Sequence, residues 1–150
     1  LNEESRSYTA HVKVAARAVG DLLEFLNEPP TKILMMTEPD VIDNLLPELE
    51  RKFRDISHVV RSLPQYVEFT AKDVTKGAAL AELAKRMGIP QAQVMAIGDS
   101  ENDVTMLSYA GIGVAVCNAV DRAKEAADYV TEGINGDGVR EAIYRFVLSS

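Results

Sequence analysis

From residue 76 onward, apolar runs alternate with helix-forming stretches at a regular rhythm. Thr75 precedes an Ala- and Leu-rich stretch over 76–87 that Gly88-Ile89-Pro90 ends. A Thr at the entry and a Gly at the exit are helix caps. "QVMAI" (93–97) reads as a strand, 101–109 as a short helix and "IGVAV" (112–116) as a strand. Asn118 is placed to cap a helix over 119–127, with Asp121 at its third position. "DYVT" (128–131) reads as a strand, "EGINGDG" as a loop and 137–148 as a helix. Strands that are apolar throughout and separated by helices require right-handed crossovers. The pattern therefore predicts an α/β fold, a parallel sheet with helices on both faces.

The earlier part of the chain has another rhythm. "SYTAHVKV" (7–14) has weak strand character, and "AARAVGDLLEFLN" (15–27) has helical character interrupted by Gly20. "TKILMMT" (31–37) reads as a buried strand, with Met35 and Met36 filling core. Thr37 before Pro39 marks a helix start. The stretch 40–53 carries a helical stripe of Val41, Leu45, Leu46, Leu49 and Phe53, and Pro47 predicts a kink or two short helices. "ISHVVRS" (56–62) and "QYVEFTA" (65–71) read as strands split by Leu63-Pro64. We place a mixed α/β region over 1–66, the regular one over 67–150, and their boundary within 63–72.

Composition narrows the function classes. Net charge is −7, which disfavours a nucleic-acid or anionic-membrane surface. No apolar run approaches the roughly 20 residues that span a bilayer, and "LNEESRSYTA" has no signal-peptide pattern. The lone cysteine, Cys117, cannot form an internal disulfide and reads as a small buried thiol. These features lead us to expect a cytoplasmic protein.

The chemistry concentrates in "GDSEND" (98–103), where Asp99, Glu101, Asn102 and Asp103 fall within five positions after an apolar strand. In open α/β sheets, functional groups gather beyond the carboxyl ends of the strands, and Asp99 is the first side chain there. The local alternative is a set of helix-start residues favoured by the helix dipole. Asp99, Glu101 and Asp103 match positions 1, 3 and 5 of an EF-hand loop, but Val104 and Ala110 stand where that loop needs Gly and Glu. A Ca²⁺ loop is excluded. A single Mg²⁺, held by few carboxylates and several waters, fits better. A phosphate beside it would need its own cation. Lys76 is the candidate, although a solvated surface lysine is the simpler reading of that residue alone.

Together, Lys76-Gly77 and "GDSENDVTMLSYAG" resemble the third and fourth motifs of the haloacid dehalogenase superfamily, in particular its Cof-type sugar phosphatases. The resemblance continues through "GVAVCNAVDRAKEAADYVTEG" and "DGVREAIYRFVL", and reaches back through "TKILMMTEPDVID" and "RSLPQYVEFTAKDVTKG". It implies a Rossmann-like core joined to part of an α+β cap of the C2 type. It also implies a phosphatase of small phosphorylated metabolites that works through an aspartyl-phosphate. By the motif match, Asp99 would ligate Mg²⁺ and Lys76 would contact phosphate and the nucleophile. Asn102 would contact substrate, and Asp103 would orient Lys76 or a metal-bound water. Asn118 and Lys124 match positions near the site without an assigned role. Glu101 is expected to be solvated.

Two departures from the family pattern matter. Where the family often carries Asn in the loop before "DG", this sequence has Ile134, with Asn135 beside it. More consequentially, no Asp-x-Asp motif exists anywhere in the sequence. The family's nucleophile and general acid lie in that motif, on a strand upstream of the cap. The expectation is a chain that begins inside the cap and is inactive alone. Its sheet should have an open edge that invites self-association. The competing reading is a non-catalytic interaction module of the same fold. A receiver-like fold is disfavoured because Lys76 precedes Asp99. His11 and His58 are isolated and read as surface or core residues.

Overall fold

The computed structural model describes residues 3–148. The chain divides into two compact units, one ending at Ala71 and the other beginning at Lys72.

The first unit contains helices α1 (Glu3–Val12), α2 (Leu22–Phe25) and α3 (Pro39–Phe53), with strands β1 (Ile33–Met36), β2 (Ser57–Leu63) and β3 (Tyr66–Ala71). The strands form an antiparallel sheet in the order β1-β3-β2. Because β3 is the central strand, residues 67–71 belong here and not with the region that follows. The register pairs Met35 with Val67 and Val59 with Phe69. The core is Ile42, Val59 and Val67, with Met35, Leu46, Leu49, Phe53 and Phe69 packed around it. Phe53 and Phe69 meet edge to face at 5.6 Å, a favoured arrangement of ring quadrupoles.

Residues 7–14 are not a strand, because α1 covers most of them and sets Tyr8 edge-on against Tyr66 at 5.8 Å. Residues 15–27 hold a single helical turn. Gly20 takes a left-handed φ of +74°, and Asp21, not an upstream residue, caps that turn by accepting from the Leu23 N–H. The helix after β1 has Glu38 at its N-cap position, without a side-chain cap bond, and Pro39 in its first turn; Thr37 lies outside it. Helix α3 runs unbroken past Pro47. The lost backbone donor is tolerated because Ile42, Leu46, Leu49 and Phe53 hold the helix on the sheet. That stripe is rotated from the expected one: Ile42 is fully buried, while Val41 and Leu45 are exposed. Met35 fills core, but Met36 lines a cavity of about 310 Å³ with Thr37, Gln65 and Tyr66.

The second unit follows the predicted alternation. Its elements are α4 (Lys76–Met87), β4 (Met95–Gly98), α5 (Val104–Tyr109), β5 (Ile112–Ala115), α6 (Asp121–Glu125), β6 (Tyr129–Val130) and α7 (Asn135–Ile143). A π-helical stretch, Tyr144–Leu148, follows α7. The strands are parallel in the order β4-β5-β6, with Met95 opposite Ile112 and Val114 opposite Tyr129. Thr75 Oγ1 accepts from the Ala78 N–H, as its capping role requires, and Gly88 ends α4. The core is Leu107 surrounded by small residues: Ala96, Ala115, Val116, Ala119 and Ala123. Small side chains let α5 and α6 lie close on the strands. Among the described residues, β4 has a strand neighbour on one side only. Helix α6 starts later than expected, with Val120 as its cap, because Asn118 is engaged elsewhere. No described helix is long and apolar enough to cross a membrane.

Candidate active site

Strand β4 ends at Gly98, and the chain turns through one 3-10 turn, Glu101–Asp103, into α5. Asp103 organises this turn. Its Oδ2 accepts from the backbone N–H groups of Asp99 and Ser100, each at 3.0 Å, which closes a capping box with Ser100. Its Oδ1 accepts from Lys76 Nζ. The Asp103 side chain is only 5% exposed. Burial alone would raise its pKa. The bond from Lys76, together with those from Asp99 and Ser100, outweighs burial and holds the carboxyl below its ordinary range.

Two glycines make this geometry sterically possible. A Cβ on Gly98 would lie 2.6 Å from the Asp103 Cβ, so it is the Asp103 side chain that approaches the strand end so closely. A Cβ on Gly77 would collide with the Thr105 carbonyl oxygen. The Gly77 N–H also donates to Thr105 Oγ1 at 3.0 Å, which locks α4 against α5. That contact delivers Lys76, at the first position of α4, to Asp103 and to Asn102 Oδ1 at 3.2 Å. The unfavourable position of a cation at a helix start is offset by the buried carboxylate facing it.

Asp99 is exposed, and its Oδ1 accepts from Ser100 Oγ at 3.1 Å. Its backbone carbonyl accepts from the Val120 N–H at 2.9 Å, which fixes the position from which its side chain projects. Asp99 shares a cleft of about 240 Å³ with Ile97, Gly98, Val116, Asn135 and Val139. The four residues singled out in the sequence thus lie at one strand end. Lys76, Asn102 and Asp103 are joined by hydrogen bonds, and Asp99 is tied to Asp103 through its backbone N–H. Among the described residues, no group of three or more His, Cys, Asp or Glu side chains converges on one point. Asp99 is the carboxylate that lines the cleft at this strand end.

Some features escaped the sequence. Glu101 is not simply solvated: its Oε2 pairs with Arg122 Nη1 at 2.9 Å. Cys117 is an exposed thiol, because β5 ends at Ala115 and places Cys117 in the following loop. Its backbone N–H donates to Gly133 O and to Thr131 Oγ1. Glu141 anchors that neighbouring loop, accepting from the N–H groups of Glu132 and Gly133 and from the Tyr129 hydroxyl. Glu141 meets these groups eight to twelve residues back along the chain, across the turn into α7, so local pattern does not mark it as the anchor of that loop.

The family model described as haloacid dehalogenase-like hydrolase matches residues 2–143. This chain belongs to that family. The haloacid dehalogenase-like chain is 41% identical over 111 residues to the 5-amino-6-(5-phospho-D-ribitylamino)uracil phosphatase YcsE of Bacillus subtilis, covering 74% of this chain and 44% of that protein. Among solved structures, TM0651 of Thermotoga maritima superposes with a TM-score of 0.72 at 38% identity, covering 97% of this chain and 55% of that one. The subclass IIB sugar phosphatase BT4131 gives a TM-score of 0.76 at 28% identity, with coverage of 95% and 53%. The chain spans about half the length of the curated relatives it matches. The fold class expected from the sequence is the fold of these structures.

Proposed function

We propose that this chain is the motif-bearing later part of a Mg²⁺-dependent phosphatase of small phosphorylated metabolites, sugar phosphates among them. The observation that carries this reading is Lys76 Nζ, hydrogen-bonded to both Asn102 and the buried Asp103 beside Asp99 at a parallel strand end. Phosphoryl transfer is catalysed mainly by positioning and by neutralising charge on the phosphoryl oxygens. In the reading proposed, Lys76 supplies that charge and Asp103 holds its ammonium in place. Asn102 offers an amide to the substrate, and Asp99 is the carboxylate that holds the metal. Bound Mg²⁺ would neutralise phosphoryl charge. The attacking carboxylate, which would carry the aspartyl-phosphate, belongs to an Asp-x-Asp that this sequence does not contain.

Hydrolysis of p-nitrophenyl phosphate with Mg²⁺ tests the reading. The 150-residue chain is expected to show no turnover. The same chain joined to an upstream segment bearing an Asp-x-Asp is expected to turn over. Asp99→Asn or Lys76→Ala should then lower kcat/KM by roughly 10²-fold or more. Turnover by the 150-residue chain that Asp99→Ala abolishes would show that the nucleophile is present after all. The open edge of β4 supports a further expectation, self-association through strand pairing, which sedimentation of the 150-residue chain would read.

A further inference from the structure

Asn118 and Asn135 form a reciprocal pair across two loops at the strand ends. Asn118 Nδ2 donates to Asn135 Oδ1 at 2.9 Å, and the Asn135 backbone N–H donates to Asn118 Oδ1 at 3.0 Å. Asn135 has a left-handed φ of +46°, which Asn tolerates better than most residues. The Ile134 N-cap position and the left-handed step after it turn Asn135, rather than Ile134, into the cleft that holds Gly98 and Asp99. Asn118 is in turn held near Asp99, since the Val120 N–H donates to Asp99 O, two residues along the same loop. The pair consumes the side-chain oxygen and the backbone N–H of Asn135. What the side chain retains for a ligand is its Nδ2 group, a donor of two hydrogens.

We propose that Asn135 is a substrate-contacting residue of this site, donating from Nδ2 to a phosphoryl oxygen, and that Asn118 is its positioning residue. The proposal deepens the phosphatase reading and rests on it. Asn135 thereby brings an amide to the cleft that Asp99 lines. Asn118 acts only through Asn135: it orients the amide, and it stabilises a backbone conformation that most side chains resist.

The test is an NMR titration of the 150-residue chain with inorganic phosphate in the presence of Mg²⁺, following side-chain amide resonances. In the unaltered chain, the Asn102 and Asn135 Nδ2 resonances are expected to shift together. In Asn118→Ala, the Asn102 response should persist, the Asn135 response should vanish and phosphate affinity should fall about five-fold, the loss of one hydrogen bond. Asn135→Gly, which keeps the left-handed backbone without strain, should lose the same factor. Asn118→Gln, able to donate and accept, should restore part of it. A chain whose Asn102 responds while Asn135 does not would overturn this proposal and leave the phosphatase reading standing. A chain in which neither responds would overturn this proposal together with the substrate contact given to Asn102. Equal affinity in Asn135→Gly and the unaltered chain would also overturn the proposal.

Discussion

The Cβ of Asp103 occupies the space that a side chain at residue 98 would need, 2.6 Å from where a Gly98 Cβ would lie. The strand end and the acidic turn are therefore one packed unit. Asp103 reaches the N–H groups of Asp99 and Ser100 only because residue 98 has no side chain. Gly98→Ala should displace Asp103 and cost about 1–3 kcal/mol, the usual penalty for overpacking a tight site. Urea denaturation reads the loss. The same variant should also weaken the Lys76 contact, visible as a changed Lys76 Nζ environment by NMR.

Gly77 and Gly136 make a matched pair for the helix contact. A methyl at Gly77 would strike the Thr105 carbonyl, whereas nothing lies within 4 Å of a methyl at Gly136. Gly77→Ala is expected to destabilise by about 1–3 kcal/mol and to move Lys76 away from Asp103. Gly136→Ala should be within about 0.5 kcal/mol of the unaltered chain. Equal stabilities for the two variants would mean that α4 and α5 are not clamped at Gly77.

Asp103 gives the unit an acid-sensitive element. Its carboxyl titrates below the ordinary value of 3.8: burial opposes this, and Lys76 with the two backbone donors overcomes it. A depressed folded-state pKa means the unfolded chain binds the proton first as pH falls. The resulting stability is fully present above the ordinary value and is lost as pH drops through the folded value. Solvent screening at the half-exposed Lys76 reduces the ion-pair share of it. The stability gap between the unaltered chain and Asp103→Asn should therefore be wider at pH 7 than at pH 3 in urea titrations, and should go on narrowing as the pH falls further. A gap independent of pH would assign the effect to packing instead.

Glu141 is expected to govern the order of the loop after β6. Its carboxylate accepts from the backbone N–H groups of Glu132 and Gly133 and from the Tyr129 hydroxyl, and these bonds hold it below the ordinary carboxylate range. Glu141→Ala should speed hydrogen exchange at Glu132 and Gly133 while leaving Asp99 and Ser100 unchanged. Exchange that stays slow at Gly133 would show that Thr131 and Cys117 hold the loop without Glu141.

Much of the second unit was legible because local and tertiary demands agree there. Thr75 caps α4 as its hydroxyl predicts, and the apolar runs around Ile97 and Val114 pair as parallel strands. The first unit was less legible because tertiary packing overrode local signals. Pro47 sits inside a continuous helix, since four apolar side chains bind that helix to a sheet. The stripe centres on Ile42 instead of Val41, because helix rotation is set by the sheet it meets. Asn118 looked like a cap and instead pairs with Asn135, seventeen residues away, a partner no local pattern reveals.

By itself, the sequence determined the α/β class of the later half, the family, and the residue types gathered at one strand end. Periodicity, capping residues and motif spacing are local properties, and they survive without knowledge of distant partners. Only the tertiary structure decided which acid pairs with which cation. It buries Asp103 on Lys76, gives Glu101 to Arg122 and leaves Asp99 exposed in the cleft. The pairing of Asp103 with Lys76 depends on how closely α4 meets α5 and how closely Asp103 meets β4. Glycine contacts of a few ångströms set both distances, between residues far apart in the chain.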